Sequence, residues 1–157
     1  MATAAPISKA SLIADARKQW THSEASVAKA AKGNFEATPA SGEWSAGNCY
    51  RHLIDTMHKM PDAIDQLVKA QPLTALSAGD EVGIKSFATL NAKMLPIELN
   101  TAHGIVWMAL QKLTDRDLEK QVALGDHKMT LGAALQVFLI GHEQSHVEQA
   151  LKSAGVS

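Results

Sequence analysis

Several features are scarce in this 157-residue chain, and each scarcity narrows what the chain can be. There is one cysteine, Cys49, so no internal disulfide can staple the fold, and a lone thiol suits a reducing compartment, by default the cytoplasm. Long apolar runs are missing. The longest, Gly104 to Leu110, falls far short of the roughly 20 residues needed to cross a bilayer. Met1 to Lys18 reads without an export signal, because Ser8, Lys9, Ser11 and Asp15 break it up. Neither sign of charge dominates: 15 basic residues stand against 16 acidic ones, for a formal net charge of −1. No basic field gathers phosphate backbones or anionic lipid, so neither nucleic acid nor a membrane is expected as a partner. Ten glycines and five prolines are too few for a disordered or fibrous chain, and no internal repeat appears. What remains is a soluble chain sized for one domain over residues 1–157, long enough to bury its own core.

The apolar residues recur at helical rather than alternating intervals, which predicts an all-α fold. The first segment runs from about Ser8 to Lys32, with Leu12, Ala16, Trp20, Val27 and Ala31 on one side and Gly33-Asn34 as its stop. A loop over 34–43 leads to Trp44-Ser45, where Ser45 can cap and Trp44 anchor a second helix reaching about Gln71. Its apolar arc is Cys49, Leu53, Met57, Met60, Ile64 and Leu67, with a kink expected at Pro61. After a loop to Asp80, a third helix is predicted from about Val82 to Leu113, kinked at Pro96. Asp115 to Lys128 reads as a connection with a short helical turn and a tight Gly125-Asp126 turn that could pair two short extended pieces, short of a sheet. Thr130 caps the fourth helix, which ends at Ala154-Gly155. Four amphipathic helices of similar length predict a four-helix bundle.

Seven histidines stand out in such a chain. On the fourth helix, at about 100° per residue, Leu131, Leu135, Phe138, Leu139, His142, His146 and Gln149 fall on one arc. Both histidines therefore sit in the stripe expected to be buried, one turn apart, where two imidazoles can chelate one cation. The alternative is a pair of core histidines satisfied by polar neighbours. Burying adjacent imidazoles without partners leaves donors and acceptors unpaired at roughly 1–3 kcal/mol each, a penalty that a shared metal removes. His142-Glu143-Gln144-Ser145-His146 also matches H-E-x-x-H, in which the glutamate acts as general base of a zinc protease. Gln149 and Lys152 stand where the extended protease pattern wants Gly and His, so that reading is set aside. A third ligand must come from upstream. His52, flanking the apolar arc of the second helix, is the best candidate; His103, on a stripe with Leu99, Val106, Trp107 and Leu110, is a rival ligand or a cavity-lining residue. Cys49 is a weaker candidate ligand. His58 reads as solvated, His22 as off its helix's apolar arc, and His127 as a loop residue.

Two stretches carry a family resemblance. Trp44-Ser45-Ala46-Gly47-Asn48-Cys49-Tyr50-Arg51-His52-Leu53 is similar to the W-S start of a second helix and the metal-binding histidine that follows it in the DinB/YfiT-like metalloenzymes. His142-Glu143-Gln144-Ser145-His146-Val147-Glu148-Gln149 resembles that superfamily's H-x-x-x-H-x-x-Q. Leu113-Thr114-Asp115-Arg116-Asp117-Leu118 and Thr130-Leu131 are similar to its connection before the last helix. The resemblance covers nearly the whole chain and implies a four-helix bundle with His52, His142 and His146 as ligands and Gln149 beside the site. The resemblance further implies a homodimer and, from its better understood relatives, transfer of low-molecular-weight thiols or thiol-dependent isomerisation of a small-molecule substrate.

Three neutral nitrogen ligands leave a coordination position open, the arrangement of catalytic zinc sites. Imidazole suits several metals, and zinc or nickel is expected here, with iron as an alternative. A thiol transferase is the leading expectation, the metal presenting a thiolate to an electrophile. A metal-dependent hydrolase in which Glu143 or another carboxylate shuttles the proton is the second, and a non-catalytic metal-dependent stress or binding protein the third.

Overall fold

The structure, a computed structural model, describes residues 6–76 and 79–156. Side-chain caps set where its helices begin. Ser8 accepts from the Ser11 amide at 3.1 Å while Ser11 Oγ accepts from the Ser8 amide at 3.2 Å, a reciprocal cap that opens α1, Lys9–Ala30. Ser45 accepts from the Asn48 amide at 3.2 Å and opens α2, Ala46–Val68. Helix α2 is continuous through Pro61 and stops three residues short of the expected Gln71, where Ala70 takes a φ of 53°.

The third segment differs from the single kinked helix that its periodicity predicts. It divides into α3, Asp80–Ser86, and α4, Leu95–Gln111, separated by turns. Asn91 Oδ1 accepts from the amides of Lys93 and Met94 at 3.0 and 3.2 Å, a local bond that competes with helix. Pro96 then sits in the first turn of α4, where its missing N–H costs nothing, and so it starts a helix instead of bending one. The following connection is also more ordered than expected. After α5, Asp115–Leu118, strands β1 (Gln121–Leu124) and β2 (His127–Thr130) pair antiparallel across Gly125-Asp126, with Val122 opposite Met129. Val122 is buried, and the Leu131 amide donates to the Lys120 carbonyl at 2.8 Å, tying this ladder to the last helix.

That last helix is built in three pieces: α6, Leu131–Leu135, a π-helical stretch over Gln136–Gly141, and α7, His142–Ala154, closed by Gly155 at a φ of 72°. With α1, α2 and α4 it makes a four-helix bundle, in which α2 packs against α4 and α7 on one side and α1 packs against α4 and α7 on the other. Two apolar clusters fill the bundle. One joins Leu12, Ala16 and Trp20 to Met57, Met60, Val106, Leu110, Leu131 and Leu135. The other joins Val27 and Ala30 to Tyr50, Leu53, Leu95, Leu99, Val147 and Ala150. Between them on each helix fall the polar residues Ser23, His52, Thr56, His103 and Glu143, all buried. The bundle thus carries a polar layer between two apolar cores.

The π-helical stretch decides which face of the last helix enters that layer. The buried positions Leu131, Leu135, Leu139, Glu143 and Val147 recur every four residues. In a straight α-helix each such step turns about 40°, so four of them drift by about 160°. A wider π turn takes up one extra residue and cancels much of that drift. Leu135 and Glu143 are eight positions apart; without Val137, an exposed residue of the wide turn, they would be seven apart, two α-turns to within about 20°. Deleting Val137 is therefore expected to give a regular helix with both halves still facing the core. Circular dichroism should show unchanged helicity, and the melting temperature should move by no more than about 4 °C, or about 1 kcal/mol. Loss of cooperative unfolding would contradict this register.

Candidate metal centre

Helix α2 contributes His52 to the polar layer and α7 contributes His142 and His146. One ring nitrogen from each of the three lies within 4.8 Å of the others, and His52 Nε2 is 3.2 Å from His142 Nε2. Two imidazole nitrogens at ~2.0–2.1 Å from a tetrahedrally bound ion lie about 3.3–3.4 Å apart, so the pair is already near the spacing that one shared cation requires. The rings meet edge to face, with centroids 4.5 to 5.2 Å apart. Trp44, just before the Ser45 cap, packs over two of them, stacked on His146 at 5.7 Å and tilted on His52 at 4.9 Å.

The tautomer of His146 is fixed by its neighbour one turn on: its Nδ1–H donates to Gln149 Oε1 at 2.9 Å, leaving Nε2 with a free lone pair. Burial, followed by its two imidazole neighbours His146 and His52, pushes the pKa of His142 down to about 4. Burial also holds His52 and His146 below the ordinary value. All three rings are thus neutral at neutral pH, as metal ligands must be. The Nδ1 atoms of His52 and His142 are buried without a hydrogen bond, although Asp80 Oδ1 comes within 3.6 Å of His52 Nδ1. The donor set, its neutrality and its convergence all fit one divalent cation.

His103 is placed elsewhere. Its side chain is 3% exposed, stacked on Trp20 at 5.1 Å, with Nδ1 at 2.8 Å from Glu24 Oε1 and Nε2 at 3.0 Å from Glu143 Oε1. Both ring nitrogens face carboxylates, so His103 joins α1 to α7 across α4 and lines a cleft on that side with Glu24 and Trp107. Glu143 is 0% exposed; one oxygen meets His103 and the other has no partner. Its carboxylate points toward α4, whereas the neighbouring His142 points toward α2.

The remaining histidines also depart in part from expectation. His58 is half-buried, not solvated: its Nε2 lies 3.0 Å from Glu98 Oε1 and its ring stacks on Phe87 at 5.7 Å. His22 is exposed, and His127 is exposed at the start of β2. Three residues near the polar layer were missed in the sequence. Glu24 interrupts the Trp20–Val27 stripe, and Thr56 follows His52 by one turn, so a polar residue on an apolar arc was the signal in both cases. Asp80 gave none, because the short α3 was not foreseen.

The sequence pattern that defines the DinB superfamily matches residues 15–150. The chain belongs to the DinB superfamily. No curated protein and no solved structure matches it. In this DinB protein the all-α bundle and the three-histidine cluster occur together, and among the described residues no helix is long and apolar enough to cross a membrane.

Two outcomes follow from the geometry. His142→Ala should abolish stoichiometric zinc uptake, read by elemental analysis, and the rise in melting temperature that zinc gives by binding the folded state. His58→Ala should leave uptake intact while costing about 1 kcal/mol, because it removes the Glu98 contact. In the metal-free protein, the unfolded chain, with ordinary histidine values near 6.5, takes up protons before the buried His142 does. Stability is therefore full above about pH 6.5 and declines between there and about pH 4. Calorimetry across that window should show a falling melting temperature, and a flat profile would contradict the burial of the rings.

Proposed function

We propose that this DinB protein is a metal-dependent enzyme that transfers a small external thiol to an electrophilic small molecule. The observation that carries the reading is the convergence of three neutral imidazoles from two helices on one point, with no fourth protein ligand among the described residues. A divalent cation bound there supplies Lewis acidity and lowers the pKa of a coordinated thiol. The protein's own groups do the rest. Burial keeps His52 and His142 unprotonated, so each neutral ring has one nitrogen lone pair to give. Gln149 sets the tautomer of His146, and Trp44 walls off one side. On the other side a cavity of about 160 Å³ opens beside His52 and His142, with Phe138 and Leu76 as apolar wall and Asp55, Lys59 and Asp80 around it.

The nucleophile has to come from outside the chain. Cys49 lies one turn before His52 but is fully buried, and burial pushes its thiol up to about 12. Such a thiol carries almost no thiolate at neutral pH. The hydrolytic reading gets no support from Glu143, the carboxylate that the H-E-x-x-H spacing offers, because it is held by His103; Asp80, at the rim of the cavity, is the carboxylate that reading would have to use. Cys49 as the one thiol, kept reduced, agrees with a cytoplasmic setting.

The test is a panel of low-molecular-weight thiols and electrophiles offered to zinc- or nickel-loaded protein. Free thiol should disappear in proportion to metal content, stop when a chelator removes the metal, and continue within about twofold of the wild-type rate, under 0.5 kcal/mol, in Cys49→Ala. Ester or amide cleavage without thiol, or no turnover across the panel, would overturn the reading.

A further inference from the structure

Thr56 lies one turn after His52 on α2, and its buried hydroxyl oxygen is 3.5 Å from His52 Nε2, the same nitrogen that approaches His142. Hydroxyl hydrogen bonds usually span about 2.5–3.0 Å, so this contact is at the outer limit. No other hydrogen bond of Thr56 is found among the described residues. If His52 gives its Nε2 lone pair to a cation, Thr56 loses even this acceptor. A buried hydroxyl left unpaired is costly, so it calls for another acceptor in the cavity that it shares with His52 and His142. The other polar groups there have partners of their own: Lys59 is paired with Asp55, and Asp80, exposed at the rim, faces His52 Nδ1 at 3.6 Å.

We propose that Thr56 is a ligand-binding residue of the metal centre, its hydroxyl donating a hydrogen bond to the anionic donor atom that takes the open position beside His52 and His142. This rests on the thiol-transfer reading, in which that atom is a thiolate sulfur. The thiol loses its proton to solvent buffer as its sulfur binds, and Thr56 keeps its own proton and shares it. The cavity, about 160 Å³, is small beside the ~300–1,000 Å³ of usual ligand pockets. It admits the reacting end of a thiol, and the remainder of the molecule leaves past Asp80.

The experiment compares wild-type protein, Thr56→Val and Thr56→Ser, each loaded with Co²⁺ and titrated with 2-mercaptoethanol, following the sulfur-to-cobalt absorption band. Valine keeps the shape and removes the hydroxyl, whereas serine keeps the hydroxyl. Cobalt affinity should be the same within about twofold in all three, thiol affinity should fall about tenfold in Thr56→Val, and Thr56→Ser should stay within about threefold of wild type. Equal thiol affinity in wild type and Thr56→Val, with cobalt bound in both, would overturn the role of Thr56 and leave the function standing. Failure of wild-type protein to take up cobalt would sink both.

Discussion

The structure depends on burying imidazoles and a carboxylate halfway along a helical bundle and gathering them where they can face one another. Unpartnered polar groups in an apolar interior are expensive. The bundle meets that cost by collecting them at one level, between two apolar clusters, where they can satisfy one another. Glu24, His103 and Glu143 form one set, joined by bonds of 2.8 and 3.0 Å. His52, His142 and His146 form the other, in which imidazoles face one another instead of a carboxylate, with the Nε2 atoms of His52 and His142 3.2 Å apart. The first set pairs within the protein except at Glu143 Oε2, whereas the second turns imidazole nitrogens toward one another, which suits a bound cation.

Helix α7 serves both sets at once, which explains an otherwise odd arrangement. His142 and Glu143 are consecutive, so on a helix they point about 100° apart. The first meets α2 and the second meets α4, and each of these helices brings the matching histidine, His52 or His103. Because Glu143 is turned to His103, the H-E-x-x-H string here does not put its carboxylate beside the three histidines. The same five letters that mark a protease elsewhere are split here between a binding site and an internal strut. Fold context, not the string, decides which reading holds.

The bundle and the clustering of His52, His142 and His146 were legible in the sequence because both rest on repeated, local signals. Periodic apolar residues, Ser and Thr caps and the W-S to His52 spacing each report on a few neighbouring positions. What was not legible depends on longer-range competition. A straight-helix projection puts His142 and His146 in the middle of the buried stripe, whereas Glu143 and Val147 occupy it, because nothing in Gln136–Gly141 announces a wide turn. Likewise Pro96 looks like a kink until Asn91 is seen capping the turn ahead of it. His58 looks solvated on a single helix and is half-buried only because Glu98 and Phe87 arrive from elsewhere.

The shift of the histidines to the edge of the stripe bears directly on chemistry. A trio at the centre of the core would be closed on all sides, as structural metal sites are. Placed at the edge, the three rings keep apolar walls on one flank and a narrow opening on the other, where Lys59, Asp55 and Asp80 gather. Burial is deep enough to hold the imidazoles neutral and shallow enough to admit a reacting group. Since Cys49 lies inside the core with its thiol protonated, the fold keeps its one sulfur away from that opening. In the proposed reaction the chain supplies ligands, walls and one hydroxyl, and the reactive sulfur arrives from solvent.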